Sequence, residues 1–453
     1  MSTNADDVKK GADLVIFQPK ADRAPPPNTT GAMGWLRENL FYSWFSTAFT
    51  LGALIVVYLG LSVIWEWGIT NAVWDAATKR ECTDTNPDGA CWAGVKAWFN
   101  GFIYGRYPEV ERWRINWAFI LLATWLVPLW LSRVKGKIGF GVSAVLLYPF
   151  LAGYMFLGGE RGWFMDIMVF AAMATITFQW LNVIGTYTVG HTFKDILLAL
   201  TGFSKRHEAT HKYPVLGAVA VIGLVYYAIW GGDQLELVKT NLWGGLFLTL
   251  VIAGVAITSA LPGGVLLALG RRSEMPIIRV FAVTFIELFR SVPLITVLFM
   301  AVTMMPLFLP EGFQLNKLVQ AIIGVCLFAS AYMAEVVRGG LQAIPKGQYE
   351  AAKSMGLNYW QSMNLIILPQ ALKLMIPNIV GNFIGLLKDT TLVSIIGLYD
   401  MLLMIKAAGT NPKWNGLHTE PLLFGAAIYF ILCYVMSQYS QRLERTLGAG
   451  DQR

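Results

Sequence analysis

The chain has 453 residues, of which 55% are hydrophobic and 14% are charged, and its mean hydropathy is +0.52. Soluble domains carry roughly 25% charged residues, so this composition excludes an ordinary soluble protein and makes the bilayer the first solvent to consider. The net charge of +7 does not indicate nucleic-acid binding, because Lys and Arg are dispersed between apolar segments and form no basic run. Four cysteines are too few for a disulfide framework.

The apolar segments predict an all-α integral membrane protein. Residues 1–44 come first and predict a disordered cytoplasmic tail, because they are polar up to Asn39, contain Pro25-Pro26-Pro27 and lack the apolar core of a cleaved signal peptide. The later segments reach the ~20 residues that a helix needs to cross ~30 Å of hydrocarbon. They predict about ten transmembrane helices, at 45–65, 115–131, 138–157, 163–189, 214–230, 244–269, 276–305, 318–337, 365–387 and 421–438.

The loops between these helices predict the orientation, since Lys and Arg near span ends are retained on the cytoplasmic side. With the N-terminus inside, the inner loops hold most of the basic residues. The short outer loops then hold one each, at Arg161, Lys239 and Lys317. The outer loop 67–114 has six, but long loops are translocated largely regardless of charge. Both termini, including the tail 446–453, are therefore predicted to be cytoplasmic.

The long outer loop carries Cys82 and Cys91 on either side of a turn-rich segment. In an oxidising periplasm this pair could close a disulfide, and two free thiols are the alternative. Cys326 and Cys433 lie inside apolar spans and are interpreted as small packing residues. His207 and His211 are four residues apart in an inner loop, but no third or fourth ligand is near in sequence, so we expect no metal site.

The chain divides near residue 240. The spans of 45–239 contain few polar residues, whereas those of 240–445 are interrupted by Gly, Pro and charges, a pattern typical of helices that line a path. Function is therefore expected in the second half.

The loop 338–364 carries the most informative motif. Glu350-Ala351-Ala352 is followed after three residues by Gly356, and after nine more by Ile366, Leu368 and Pro369. Pro345 can start a helix, Glu350 favours its first turns, and Gly356 can end it in a conformation that other residues resist. We expect a short surface helix of low side-chain bulk, suited to docking into a cleft on another protein.

This pattern, EAA-x3-G-x9-I-x-L-P, resembles the EAA loop of ABC importer permeases and is met at every fixed position. The resemblance implies that the five C-terminal helices form a type I ABC importer permease core. It also implies that the EAA helix sits in a groove of a separate ATPase and transmits its nucleotide-driven closure. The chain contains no G-x-x-x-x-G-K-[ST] phosphate loop. We therefore expect no enzyme activity and no cofactor in this chain, with ATP and Mg bound by a partner ATPase dimer.

Two further segments narrow the substrate class. FIELFRSVPL (285–294) and LKDTTLVSIIG (387–397) resemble signatures of polar amino acid (histidine/glutamine-type) permeases, which typically read E-l-f-R-g-t-P-l and K-D-T-s-L-v-s-v-i-G. Ser291 and Val292 stand where Gly-Thr is usual, and Thr391 where Ser is common, which leaves the substrate's identity open. The resemblance covers 242–445. The extended N-terminal region and the run Gly270-Arg271-Arg272-Ser273 resemble the larger permease of general L-amino acid or glutamate/glutamine/aspartate/asparagine importers.

Charged and helix-breaking residues in the second half are candidates for a substrate path or gate. A chain break at Pro293 and the stretch 381–397 leave backbone groups unpaired at membrane depth, which is tolerated only where they face a cavity or protein. Intramembrane ionisable residues are functional candidates. The candidates are Glu287, Arg290, Pro293, Asn382, Lys388, Asp389, Thr390, Thr391 and Ser394.

Alternative roles stay open for these residues. Arg290 could attract an amino acid carboxylate, or could pair with Glu287 one turn away. Lys388 and Asp389 could instead lie at the outer membrane edge. The spacing of Gly381 and Gly385 lets helices approach closely, either against a partner permease or within the subunit.

The expected function is that of a permease subunit of an ATP-driven importer of polar L-amino acids in the bacterial inner membrane. Its expected partners are a second permease subunit, a cytoplasmic ABC ATPase dimer, a periplasmic amino-acid-binding protein and membrane lipid, with no nucleic acid. A secondary amino acid transporter would show repeat symmetry between its halves and no ATPase-docking loop. An ABC permease for a different small solute would share the EAA loop but not the 388–397 signature.

Overall fold

The computed structural model describes residues 31–131, 134, 137–188, 212–232 and 234–448. In these residues every regular element is helical and only three isolated β-bridges occur, which confirms the all-α prediction. Residues 1–30, His207, His211 and 449–453 lie outside the described residues. The chain forms two compact units, one of 31–72 with 86–90 and one of 73–85 with 91–448.

The first unit contains α1 (Gly31–Asn39) and α2 (Trp44–Trp65), which continues through a π-helical turn at Glu66–Thr70. Ser43 caps α2 by accepting a hydrogen bond from the backbone N–H of Ser46 at 3.1 Å. The helical α1 corrects the prediction of a disordered tail up to residue 44. The prediction followed the polar composition before Asn39, whereas the last nine of those residues include Trp35 and Leu36 and are compatible with a helix.

The second unit begins with a small folded cap where the sequence predicted a long loop. Two helices, α3 (Lys79–Thr85) and α4 (Trp92–Tyr104), are joined by a disulfide between Cys82 and Cys91, whose Cα atoms are 5.8 Å apart. The carboxylate of Glu420 accepts hydrogen bonds from the backbone N–H of Cys91 at 2.8 Å and from Lys79 Nζ at 3.3 Å. These bonds attach the cap to the first turn of the last helix.

The remaining helices of the second unit include all the other predicted spans. In the N-terminal region they are α5 (Arg112–Trp130), α6 (Lys137–Leu146), α7 (Tyr148–Leu157), α8 (Trp163–Thr188) and α9 (Lys212–Trp230). The C-terminal region has α10 (Gly245–Arg271), α11 (Pro276–Ser291), α12 (Leu294–Thr303), α13 (Lys317–Ala343), α14 (Lys346–Ser354), α15 (Tyr359–Ser362), α16 (Leu368–Leu374), α17 (Ile376–Asp389), α18 (Met401–Gly409) and α19 (Thr419–Gly448).

Each predicted span coincides with one helix or with a bent helix pair. By length and apolar composition, five of the described helices could cross a membrane, or up to eight if each bent pair is one span. The sharpest bend, 107°, separates α11 from α12. Val292 is extended there (φ −111°, ψ 136°), because the ring of Pro293 disfavours a helical residue before it and supplies no N–H.

The core of the C-terminal region forms where α10 packs along α13. A Cβ at Gly264 of α10 would lie 2.6 Å from Cγ of Met333 on α13, so only glycine permits this approach. The fully buried side chains of Ala260, Ala329 and Met333 fill the contact. Close packing holds the C-terminal ends of both helices, where the candidate site begins, in a fixed relation.

Candidate coupling and translocation site

The loop after α13 forms the short helix that the motif predicts. Gly356 ends α14 with φ +72°, a left-handed conformation that residues with a Cβ resist. Its N–H donates to the carbonyl of Lys353 at 3.0 Å, and the N–H of Leu357 donates to that of Ala352 at 3.2 Å. This pair of bonds is the Schellman arrangement, in which a glycine closes a helix and satisfies its last carbonyls.

One face of α14 is anchored to the core. Ala352 is fully buried, at 0% exposure, and Tyr349 is half-buried with its hydroxyl donating to the carbonyl of Leu341 at 2.9 Å. Arg272, at the end of α10, donates to the same hydroxyl at 2.9 Å, and its guanidinium lies 5.3 Å from the ring centroid. The helix is therefore held by contacts to both α10 and α13.

The opposite face of α14 is exposed and small. Glu350, Ala351 and Lys353 are all exposed, so the two alanines of the motif divide between the inner and outer faces. Of the two alanines, only Ala351 lies on the exposed side, where another protein could contact the helix.

Large apolar side chains continue this exposed surface, and sequence reasoning missed them. Met355 is 74% exposed and Leu365 is 70% exposed. Tyr359 and Trp360 are exposed between them. Exposed apolar side chains in a membrane protein are suited to contact with a partner protein or with lipid.

The second half of the motif connects α14 to the membrane helices. Asn358 and Gln361 form a capping box, each side chain accepting a backbone N–H of the other residue, at 2.9 and 3.0 Å. Ile366 and Leu368 are half-buried against the core, and Pro369 is exposed in the first turn of α16. The helix 359–374 is bent by 64° from the following segment 376–394. This half therefore anchors the loop.

An ion-pair cluster lies where α10, α11 and α13 meet, and we call Arg271, Glu287, Arg290, Glu335 and Arg338 the Glu335 cluster. The carboxylate of Glu335 is 15% exposed and accepts hydrogen bonds from Arg338 Nε at 2.6 Å and Arg271 Nη1 at 3.2 Å. Arg290 Nη1 forms an ion pair with it at 3.3 Å. Arg271 Nη1 also donates to Glu287 Oε1 at 2.9 Å.

The cluster differs from the predicted alternative in which Glu287 pairs with Arg290. Each of the two has a partner on another helix, because the poorly hydrated Glu335 carboxylate requires compensating cations and attracts Arg290. Sequence reasoning missed Glu335, although it lies in the predicted span 318–337. The rule that ionisable residues inside a span are functional candidates applied to it as well.

The candidates in 382–394 form a separate group. Thr390, Thr391 and Ser394 donate to carbonyls three residues earlier, at 2.7, 2.9 and 2.7 Å, and leave their oxygen lone pairs as acceptors. Asn382 has its Oδ1 buried without a hydrogen-bond partner, Asp389 is half-buried and Lys388 is exposed. Over the ranges that the structure covers, no hydrogen bond or ion pair joins this group to the Glu335 cluster.

Asp400 is a fully buried carboxylate near this group. Its oxygens accept from the backbone N–H groups of Leu402 at 3.2 Å and Leu403 at 3.0 Å, which caps α18. Burial raises the pKa of the Asp400 carboxyl to about 6, against the opposing effects of these bonds and of Lys406. An aspartate before an apolar helical run is an N-cap signal that sequence reasoning could have used.

Metal ligands are not grouped in the part of the chain that the structure covers. No set of three or more His, Cys, Asp or Glu side chains could hold a metal ion there.

Residues 260–448 match the family described as "Binding-protein-dependent transport system inner membrane component". The inner membrane amino-acid ABC transporter permease protein YhdY of Escherichia coli is 40% identical over 423 residues, covering 93% of this chain and 95% of that protein. The glutamate/glutamine/aspartate/asparagine transport system permease protein BztC of Rhodobacter capsulatus is 36% identical over 447 residues, covering 94% and 96%.

A solved structure titled "Crystal structure of an amino acid ABC transporter with histidines" contains a similar chain. It is 31% identical, with a TM-score of 0.40, and the match covers 45% of this chain and 92% of that one.

Proposed function

This chain belongs to the amino-acid ABC transporter permeases, and we propose that it is the membrane subunit of an ATP-driven importer of polar L-amino acids. Alternating access is driven by a cytoplasmic ABC ATPase dimer. That dimer binds ATP and Mg, for which this chain has no phosphate-loop motif. A second permease completes the path, and a periplasmic amino-acid-binding protein delivers the substrate. Both termini face the cytoplasm of the bacterial cell.

The observation that carries this proposal is the two-faced helix α14. Ala352 and Tyr349 fix its inner face, so the helix cannot rotate freely, while Glu350 and Ala351 are presented outward with exposed apolar neighbours. A rigidly attached surface helix with a low outer face fits a groove on a partner and can transmit displacement to the helices that hold it. The EAA positions Glu350, Ala351, Ala352 and Gly356 belong to this element, and Ile366, Leu368 and Pro369 anchor it.

The proposed substrates are acidic amino acids, their amides and related polar amino acids. The name of the Rhodobacter capsulatus relative gives glutamate, glutamine, aspartate and asparagine, and that protein aligns with 94% of this chain. Polar groups in 382–394 supply acceptors for an ammonium group or an amide, and Arg290 is the candidate for a carboxylate. Arg290 can serve that role only by leaving or sharing Glu335, so we assign it to a gate as much as to substrate contact.

The proposed domains are consecutive along the chain. Residues 240–445 form the permease domain with the coupling loop 338–364, and residues 45–239 form an additional membrane region with its periplasmic loop at 67–114. The flanking segments 1–44 and 446–453 are cytoplasmic.

The proposal is tested with the complex purified with its ATPase and binding protein. Ala351→Trp adds bulk to the outer face of α14 without entering the core, so it should abolish ATPase co-purification or the stimulation of ATP hydrolysis by loaded binding protein. Ala77→Trp is the matched control, an exposed alanine two residues before the cap helix α3. Full stimulation in Ala351→Trp, or equal losses in both variants, would refute the proposal. Stimulation measured with each amino acid in turn identifies the substrates.

A further inference from the structure

In the Glu335 cluster, arginines from three helices form ion pairs with one carboxylate. Three guanidinium groups lie within 3.3 Å of Glu335, from the end of α10, the end of α11 and the last third of α13. Removing Glu335 would leave three guanidinium groups close together in partly buried positions, where like charges repel strongly. The positions of the ends of α10 and α11 against α13, the helix that carries Glu335, therefore depend on this carboxylate.

The cluster is connected to α14 through two adjacent residues of the chain. Arg272 donates a hydrogen bond to the hydroxyl of Tyr349 on α14 at 2.9 Å. Its neighbour Arg271 donates to Glu335 at 3.2 Å and to Glu287 at 2.9 Å. Both arginines lie at the point where α10 ends. A displacement of Tyr349 is therefore passed to Arg272 directly and to Arg271 through one peptide bond.

The cluster is also connected to the sharpest break in the fold. Arg290 lies three residues before Pro293, and its ion pair with Glu335 links the last turn of α11 to α13. Glu287, one turn earlier, fixes the same end against α10. These two ion pairs therefore link the end of α11 that precedes the 107° break to α10 and to α13.

We propose that Glu335 is a positioning residue that passes movements of α14 to the broken helix α11–α12. In one arrangement Glu335 holds all three arginines, and in the other a displaced Arg271 releases α11 to reorient about Val292 and Pro293. Coupling of this kind requires an element with two discrete arrangements that both ends bias, and exchange of ion-pair partners supplies it. The inference rests on the proposed function, because the partner ATPase is what moves α14.

The test compares Glu335→Gln, which keeps the shape and removes the charge, with Glu287→Gln. Glu287 is 55% exposed and pairs with one arginine, so its loss should lower stimulated ATP hydrolysis by less than about fivefold. Glu335→Gln should lower stimulated hydrolysis and uptake by about ten- to thirty-fold. Basal hydrolysis, ATPase co-purification and the binding-protein concentration for half-maximal stimulation should stay unchanged, since the docking surfaces are intact. Wild-type stimulation in Glu335→Gln would overturn the proposal.

A second variant measures the connection itself. Tyr349→Phe removes the hydroxyl that Arg272 holds and keeps the ring. If movement passes from Tyr349 to Glu335, adding Tyr349→Phe to Glu335→Gln should cause little further loss. Independent, multiplying losses would contradict the proposal. If Glu335→Gln does not yield a folded complex, Arg271→Gln replaces it in both measurements, because Glu335 then keeps Arg290 and Arg338.

These outcomes differ from those that would refute the proposed function. Uncoupling by Ala351→Trp together with normal coupling in Glu335→Gln would retain the importer and discard the role of Glu335.

Discussion

The left-handed glycine at the end of α14 allows a graded test of the coupling helix. A Cβ at Gly356 would meet no atom within 4 Å, so a substitution there causes no clash and acts through the backbone alone. Holding an alanine at φ +72° costs roughly 1–2 kcal/mol, whereas asparagine and aspartate tolerate this region better. A cost of that size lowers the population of α14 that ends in the Schellman arrangement, relative to α14 with a frayed end, by a factor of about 5–30.

Gly356→Ala should therefore reduce uptake and binding-protein-stimulated ATP hydrolysis severalfold, while Gly356→Asn should stay near wild type. The thermal midpoint of the purified complex should hardly change, because Gly356 itself is exposed and a Cβ there would contact no core atom. Gly356→Asp shares the backbone tolerance of Asn, so any additional loss reports a negative charge at the docking surface. Equal activity of wild type and Gly356→Ala, or equal losses in the Ala and Asn variants, would refute this account of Gly356.

Three further predictions concern the rest of the chain. Mass spectrometry of the alkylated, non-reduced protein should recover the peptides of Cys82 and Cys91 linked, and two free alkylated thiols would exclude the bridge. Glu160→Cys should react with a membrane-impermeant thiol reagent in intact spheroplasts and Glu274→Cys only after opening, and the reverse labelling would invert the proposed orientation. The folded chain binds the Asp400 proton more tightly than the unfolded chain, with a pKa of about 6 against 3.8, so stability falls as pH rises through this range. Asp400→Asn keeps the helix cap and cannot ionise. It should therefore raise the thermal midpoint at pH 8, with a gain in unfolding free energy of up to about 3 kcal/mol, and its difference from wild type should disappear towards pH 4. A difference that does not depend on pH would contradict this.

The helices could be predicted from the sequence because membrane spans impose a simple requirement on local composition. Twenty apolar residues leave few alternatives to a helix, so the boundaries of α8 and α10 agree with the prediction within a few residues. The 107° break could be located at Pro293 for the same kind of local reason. Its angle could not be predicted, because Val292 supplies the extended residue while packing against α13 determines the direction.

The ion pairs could not be predicted because they depend on distances between helices. Glu287 and Arg290 are one turn apart on one helix, and local spacing favours their pairing. The structure instead gives each of them a partner remote in sequence, Arg271 or Glu335. The cap at 79–104 was missed for a related reason. Its short helices are stabilised by Trp414 and Leu417, more than 300 residues away along the chain, and composition alone indicated only a loop.

The break at Pro293 also affects how the backbone of this chain can be accommodated in a membrane. Helix α12 has ten residues and rises about 15 Å, roughly half the thickness of the hydrocarbon layer. A half-length helix leaves its open backbone end at a depth where lipid offers neither donors nor acceptors, so that end must be shielded by protein. We therefore expect this end of α12 to be covered by protein in the assembled transporter.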